Sequence, residues 1–228
     1  MGLAKRVAEG VTAKLDFDYA CNRGHSFGEH HVHGIVNEVL SANVDPHVLK
    51  VCSGFPHLRL RREGNGRKPE VDFAVMHRET ETIRVISEVK WAGSGHCTAA
   101  NVLKDLIRLQ LIVDVEQNAE CFMLIAGHRE DLDELFRHGL FTPGTRRMLS
   151  REPATQRAEE RRKAFPLAGN PHHQASIDAY LTTFRDRIPS TPDRIVYCLK
   201  STALSAPPGG RFHSYAWRIH PSGQTIEG

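Results

Sequence analysis

The stretch KPEVDFAVMHRETETIRVISEVKW, residues 68–91, sets Glu70 and Asp72 on one apolar run and Glu88 and Lys90 on the next. Two carboxylates held a few ångströms apart repel each other unless a proton or a cation lies between them, and oxygen donors of this kind suit Mg²⁺. A lysine two residues beyond the second acid would then stand where it can orient an attacking water or offset charge developing on a phosphate. The competing reading is a cross-strand salt bridge or a solvated strand face, the usual fate of an isolated Glu-x-Lys. VISEVKW is nearly continuous in apolar residues around its two charges, as expected of a central strand buried on both faces, where unpaired charge is costly.

The elements that must position these groups follow from periodicity. EVDFAVM and TIRVISEVKW, joined by the polar HRETE at 77–81, read as a hairpin. Strand alternation puts Glu70, Asp72 and Ala74 on one face, and Glu88 with Lys90 on the face that also carries Ile86, so Asp72, Glu88 and Lys90 can converge. Before the hairpin, Val32, Ile35, Val36, Val39 and Leu40 at helical spacing predict an amphipathic helix over 27–41 with Ser26 as its N-cap. HVLKVCS at 47–53 and HLRLRR at 57–62 read as short strands, and REGNGRKP at 62–69 as a turn. After the hairpin come a strong helix at 98–115, a strand at 120–127 and a further helix in REDLDELFRHGL. Residues 142–172 are charged and proline-punctuated, an excursion from the core, after which a helix from about 174 and two strands reaching about 220 complete one domain over residues 1–228. This order implies an α/β fold with a central mixed sheet flanked by helices.

PEVDFAV, a short polar connection and IRVISEVKW together resemble the core motif of the PD-(D/E)XK phosphodiesterase superfamily, the restriction-endonuclease-like nucleases. The resemblance covers roughly residues 27–126, and it makes the C-terminal helix and two strands additions to a restriction-endonuclease-like core. It implies that Asp72 and Glu88 are metal-binding carboxylates, that Lys90 is the motif lysine and that the Val89 carbonyl is a backbone ligand. The chain departs from a literal Pro-Asp: Pro69 is followed by Glu70, which therefore competes with Asp72 for the first acidic position. Many members add an acid from the preceding helix. Glu29 falls about 50° from the centre of that helix's apolar stripe and Glu38 about 130°, which selects Glu29; favourable placement in the first helical turn is the alternative. The helix after the lysine strand would bring Lys104 and Arg108 toward a phosphate backbone, or leave them on its polar edge.

The implied activity is metal-dependent hydrolysis of phosphodiester bonds by a DNA endonuclease, with a metal-activated water held by Asp72 and Glu88, Lys90 assisting, and Mg²⁺ or its substitute Mn²⁺ as cofactor. A non-catalytic nucleic-acid-binding module on the same fold is the alternative. A homodimer is implied by the family, since cutting both strands takes two sites. Net charge is only +3, so a polyanionic partner must be met by local clusters: Arg59, Arg61, Arg62, Arg67 and Lys68 lead into the acidic strand, and a second cluster lies within 142–172. His25, His30, His31 and His33 with Cys21 invite a zinc site, but the spacing fits no structural zinc pattern and no CxxC pair exists. No apolar run is long enough to span a membrane, and MGLAKRVAEG lacks the apolar core of a secretory signal, so the expectation is a cytoplasmic protein with no membrane partner.

Overall fold

The computed structural model describes residues 2–61, 69–137, 141, 162–170, 173–202 and 210–223. In chain order the elements are α1 (Leu3–Ala20), α2 (Glu29–Ala42), β1 (Leu49–Pro56), β2 (Glu70–His77), β3 (Ile83–Trp91), α3 (Ala99–Val113), β4 (Glu120–His128), α4 (Arg129–Leu135), β5 (Arg162–Pro166), α5 (Gln174–Phe184), β6 (Arg194–Thr202) and β7 (Phe212–Ile219). The strands form one seven-stranded mixed sheet in the order β1-β2-β3-β4-β7-β6-β5. β3 and β4 are parallel and every other neighbouring pair is antiparallel. The parallel pair needs a crossover, which α3 supplies.

Each face of the sheet is covered. Phe73, Val75, Val85, Val89, Trp91, Phe122 and Leu124 pack under α1 and α2, while Ala74, Ile86, Cys121, Met123, Ile125 and Trp217 pack under α3, α4 and α5. β3 and β4 are therefore buried on both sides, which is why VISEVKW and ECFMLIAG read as almost unbroken apolar runs. Among the described residues no helix is long and apolar enough to cross a membrane.

Several expectations change in detail. α2 begins at Glu29, two residues later than the apolar pattern suggests, and the Ser26 hydroxyl donates to the Arg23 carbonyl instead of capping it. HLRLRR is not a strand where it is described: Leu58–Leu60 form one 3₁₀ turn, with the His57 Nδ1 accepting the Arg59 N–H. The turn buries Leu60 against the α3 side and leaves Leu58 67 % exposed, whereas a strand would have turned both leucines to the same face. Residues 162–166, expected within the charged excursion, form the edge strand β5 anchored by buried Phe165; the rest of that excursion up to residue 161 lies outside the described residues.

α1 adds a second helix beside α2 on the same face of the sheet, one that the motif-bearing region does not announce. Leu3, Val7, Val11 and Leu15 recur at four-residue steps and are all buried, giving the helix a continuous inner stripe. Gly10 lets α1 approach α2 closely, since a Cβ there would lie 2.9 Å from the Val39 Cγ2.

Candidate functional site

β2 and β3 part company one residue before Asp72. Their pairing runs from Met76↔Ile83, across a register shift to Val75↔Val85, as far as Phe73↔Ser87 and stops, and the next carboxylate, Asp72, takes over: its Oδ2 accepts the Val89 N–H at 2.7 Å. Beyond this point β2 stays with β1, while β3 continues beside β4 through Glu88↔Met123 and Lys90↔Ile125. The side chain thus fills the gap between diverging strands.

Gly54 explains how Asp72 reaches that gap. The β1–β2 register pairs Ser53 with Phe73 and Phe55 with Val71, which sets Gly54 opposite Asp72. Gly54 adopts φ +61°, a left-handed conformation that side chains with a Cβ disfavour. Regular alternation breaks there: Cys52 and Phe55, on either side of Gly54, pack on the same face, as do Ala74 and Val71 on either side of Asp72. Strand alternation, which sets Glu70, Asp72 and Ala74 on one face, would leave Val71 with Phe73 and Val75 on the other; instead Val71 packs on the face of Ala74. A dislocation at the Gly54–Asp72 level rotates the strand ends and aims the Asp72 carboxylate along the sheet toward β3.

Glu88 and Lys90 face α3, as alternation requires, and are 1 % and 9 % exposed. α3 answers with two charged side chains of its own. Asp105 Oδ2 lies 3.0 Å from the Lys90 Nζ, and Arg108 Nη1 lies 3.2 Å from Asp105 Oδ1 and 3.1 Å from Glu88 Oε1. Arg108 Nη2 also donates to the Glu70 carbonyl, and Lys104 approaches Asp105 at 3.8 Å. Lys90 further donates to the Val89 carbonyl at 3.3 Å. Although Arg108 touches Glu88 Oε1, no hydrogen-bond donor points at that buried oxygen: the guanidinium lies alongside the carboxylate without donating to it.

Electrostatics divide the cluster. Burial, reinforced by Asp105 and Asp72, pushes the Glu88 carboxyl well above its ordinary range despite Arg108 and Lys90. Asp105 is equally enclosed, yet Lys90, Lys104 and Arg108 outweigh its burial and hold it below the usual carboxylate range. Burial alone would depress the Lys90 ammonium, but Asp105, Asp72 and Glu88 together raise it, so Lys90 is a fixed cation and not a base at neutral pH. Arg108 is likewise raised above its already high range, its burial offset by Glu88 and Asp105.

The predicted residues are only partly gathered. Asp72, Glu88, Val89 and Lys90 lie together at the parting of β2 and β3. The Glu70 Oε2 lies near Gly54 of β1, and its backbone carbonyl accepts from Arg108. Glu29, in the first turn of α2, accepts the Ser94 hydroxyl at 3.3 Å in the loop after β3. Another α2 side chain, His33, has its Nε2 3.8 Å from Asp72 Oδ2 while its ring meets Phe73 edge-on. Arg108 points inward, with a side chain only 13 % exposed, and Lys104 donates to Asn101. Arg61 is exposed; Arg62, Arg67 and Lys68 lie outside the described residues. His31 pairs with buried Asp18 at 3.3 Å, a contact inside the fold. Among the described residues no group of three or more His, Cys, Asp or Glu side chains is assembled to hold a metal ion.

Asp105 is not among the residues that the motif singles out, although a signal for it exists. It occurs three residues after Val102 and four before Leu109, within the buried stripe of α3, where a carboxylate needs a partner. No family model matches the chain, and no curated protein or solved structure matches it either.

Proposed function

We propose that the protein is a metal-dependent phosphodiesterase acting on nucleic acid, a DNA endonuclease in the first instance, with a restriction-endonuclease-like core formed by α2, β1, β2, β3, α3 and β4. One observation carries the reading: a buried glutamate, Glu88, keeps an oxygen without a hydrogen-bond donor beside Asp72, at the point where two strands separate. Such a carboxylate is costly unless a cation stands by it, the place that Arg108 takes at 3.1 Å and that a metal ion would take in its stead. The donor chemistry suits a hard divalent ion, since Asp72, Glu88 and the Val89 carbonyl offer only oxygen.

Asp72 and Glu88 would hold Mg²⁺, which when bound supplies Lewis-acid activation of water and phosphate. The chain's own contribution is positional. The Val89 N–H fixes one Asp72 oxygen, leaving the other to a ligand. Lys90, kept protonated by Asp105, offers a positive charge to the non-bridging oxygens of a phosphate as negative charge builds there. Its raised pKa makes it a poor base, so it acts through charge and not through proton transfer.

A second reading, that the charges form a structural network between β3 and α3, is favoured by the direct Lys90–Asp105 and Arg108–Glu88 contacts. A cleavage panel separates the two: linear, supercoiled and single-stranded DNA and RNA, each with Mg²⁺, Mn²⁺ or EDTA. The nuclease reading expects divalent-dependent cleavage that Asp72→Asn and Lys90→Ala abolish while nucleic-acid binding persists. If the folded wild-type protein leaves every substrate intact with either metal, the structural network stands in its place.

A further inference from the structure

We propose that Arg108 is the resident counter-ion of the carboxylate cluster, and that a divalent cation binds at Asp72 and Glu88 only by displacing its guanidinium, so that α3 sets the metal affinity. The inference rests on the metal-dependent reading above and concerns what competes with the ion.

Arg108 sits where three elements meet. Its guanidinium is 3.1 Å from Glu88 on β3, 3.2 Å from Asp105 on its own helix, and bonded to the Glu70 carbonyl at the start of β2. Asp105 and Glu88 are met by Lys90, Lys104 and Arg108, while Asp72 accepts from the Val89 N–H and acts on Lys90 and Arg108 through space, so three carboxylates share three cations without any added ion. A divalent cation brought to Glu88 would face the Arg108 charge across a few ångströms of buried space, an unfavourable encounter at low dielectric. Lys90, held by Asp105 and the Val89 carbonyl, adds a second fixed positive charge near Glu88.

The geometry also supplies the exit. Arg108 contacts Glu88 without donating a hydrogen bond to Oε1, whereas its contacts with Asp105 and the Glu70 carbonyl are hydrogen bonds. Moving off Glu88 gives up an ion contact that is not a hydrogen bond; because the same Nη1 also donates to Asp105, the displaced guanidinium must re-form that contact, with its Nη2 bond to the Glu70 carbonyl as the remaining tether. The carboxylates that act on this guanidinium are Glu88 on β3, Asp105 on α3 and Asp72 on β2, and the neighbouring cations Lys90 and Lys104 both contact Asp105.

Mn²⁺ titration followed by electron paramagnetic resonance, which requires no turnover, tests the inference on wild type, Arg108→Gln, Arg108→Lys and Glu88→Gln. Arg108→Gln is expected to bind Mn²⁺ about tenfold tighter or more, Arg108→Lys to stay near wild type because the charge remains, and Glu88→Gln to lose binding. Because Arg108→Gln removes a buried cation, a second measurement uses the unaltered chain: the Arg108 Nε–Hε resonance should shift and exchange faster on adding Mg²⁺. Unchanged Mn²⁺ affinity in folded Arg108→Gln, or an Arg108 resonance indifferent to saturating Mg²⁺, overturns the displacement, while Glu88-dependent binding in wild type would leave the phosphodiesterase reading standing. Absence of Mn²⁺ binding in every form removes both.

Discussion

Lys90 on β3 and Asp105 on α3 meet at 3.0 Å inside the protein, and this contact joins the lysine of the sequence motif to a helix acid that the motif does not contain. Breaking a buried pair by neutralising one member strands the other, which is costly even where the intact pair adds little net stability.

Asp105→Asn should therefore destabilise the fold by about 3 kcal/mol in urea unfolding. In a double-mutant cycle with Lys90→Met, the coupling should exceed about 1 kcal/mol. A coupling near zero would show that Lys104 and Arg108, not Lys90, are the real partners of Asp105.

Gly54 is expected to be intolerant of a side chain for backbone reasons. Alanine at φ +61° costs about 1–2 kcal/mol, and its Cβ would approach the Glu70 Oε2 at 3.2 Å, a contact the flexible carboxylate can relieve. Relaxation of the strand toward regular alternation would turn Asp72 away from the Val89 N–H. Gly54→Ala should consequently lower divalent-dependent cleavage far more than its loss of stability accounts for, measured below the unfolding midpoint; proportionate losses would remove Gly54 from the site.

The pH dependence of stability has a definite sign at Glu88. Its pKa in the fold lies well above the ordinary 4.5, so the stability it contributes is complete below that value and is lost as pH rises through the folded pKa. Glu88→Gln, which cannot ionise, should gain on wild type steadily as pH is raised from about 4.5 toward neutrality, read from urea midpoints without added metal. The reverse trend would mean that Arg108 stabilises the ionised glutamate more than burial opposes it.

Gln110 provides a control within the same helix. Its Oε1 accepts the Val196 N–H at 2.8 Å and its Nε2 donates to the His220 carbonyl at 3.0 Å, tying α3 to β6 and the end of β7. Gln110→Ala leaves buried backbone groups unpaired and should cost about 1–3 kcal/mol, with metal affinity and cleavage per folded molecule unchanged. A selective loss of cleavage would give this side chain a part in the site.

The hairpin and its charges are legible in the chain because their geometry is local. A short polar connection between two apolar runs sets β2 beside β3, and the run VISEVKW, apolar on both faces, declares a central strand. Glu88 and Lys90 must then face the same way. Asp72 is less determined, since regular alternation would point it at one face of the sheet; its turn toward β3 depends on Gly54, a residue of another strand whose register no local pattern reports. Leu58–Leu60 shows the same limit, as two alternating leucines satisfy a strand pattern equally well until α3 takes one of them into the core.

Residue types and periodicity by themselves determined that two acids and a lysine lie on adjoining strands, that these strands are central and that helices flank a mixed sheet. Tertiary structure alone decided which charges face one another. The rotation of α3 about its axis brings Asp105 and Arg108 to Lys90 and Glu88, and the sheet order carries β7, β6 and β5 beyond β4. The reason is physical: backbone periodicity fixes the direction of a side chain within its own element, whereas the partner of a buried charge is fixed by which elements pack together and at what angle.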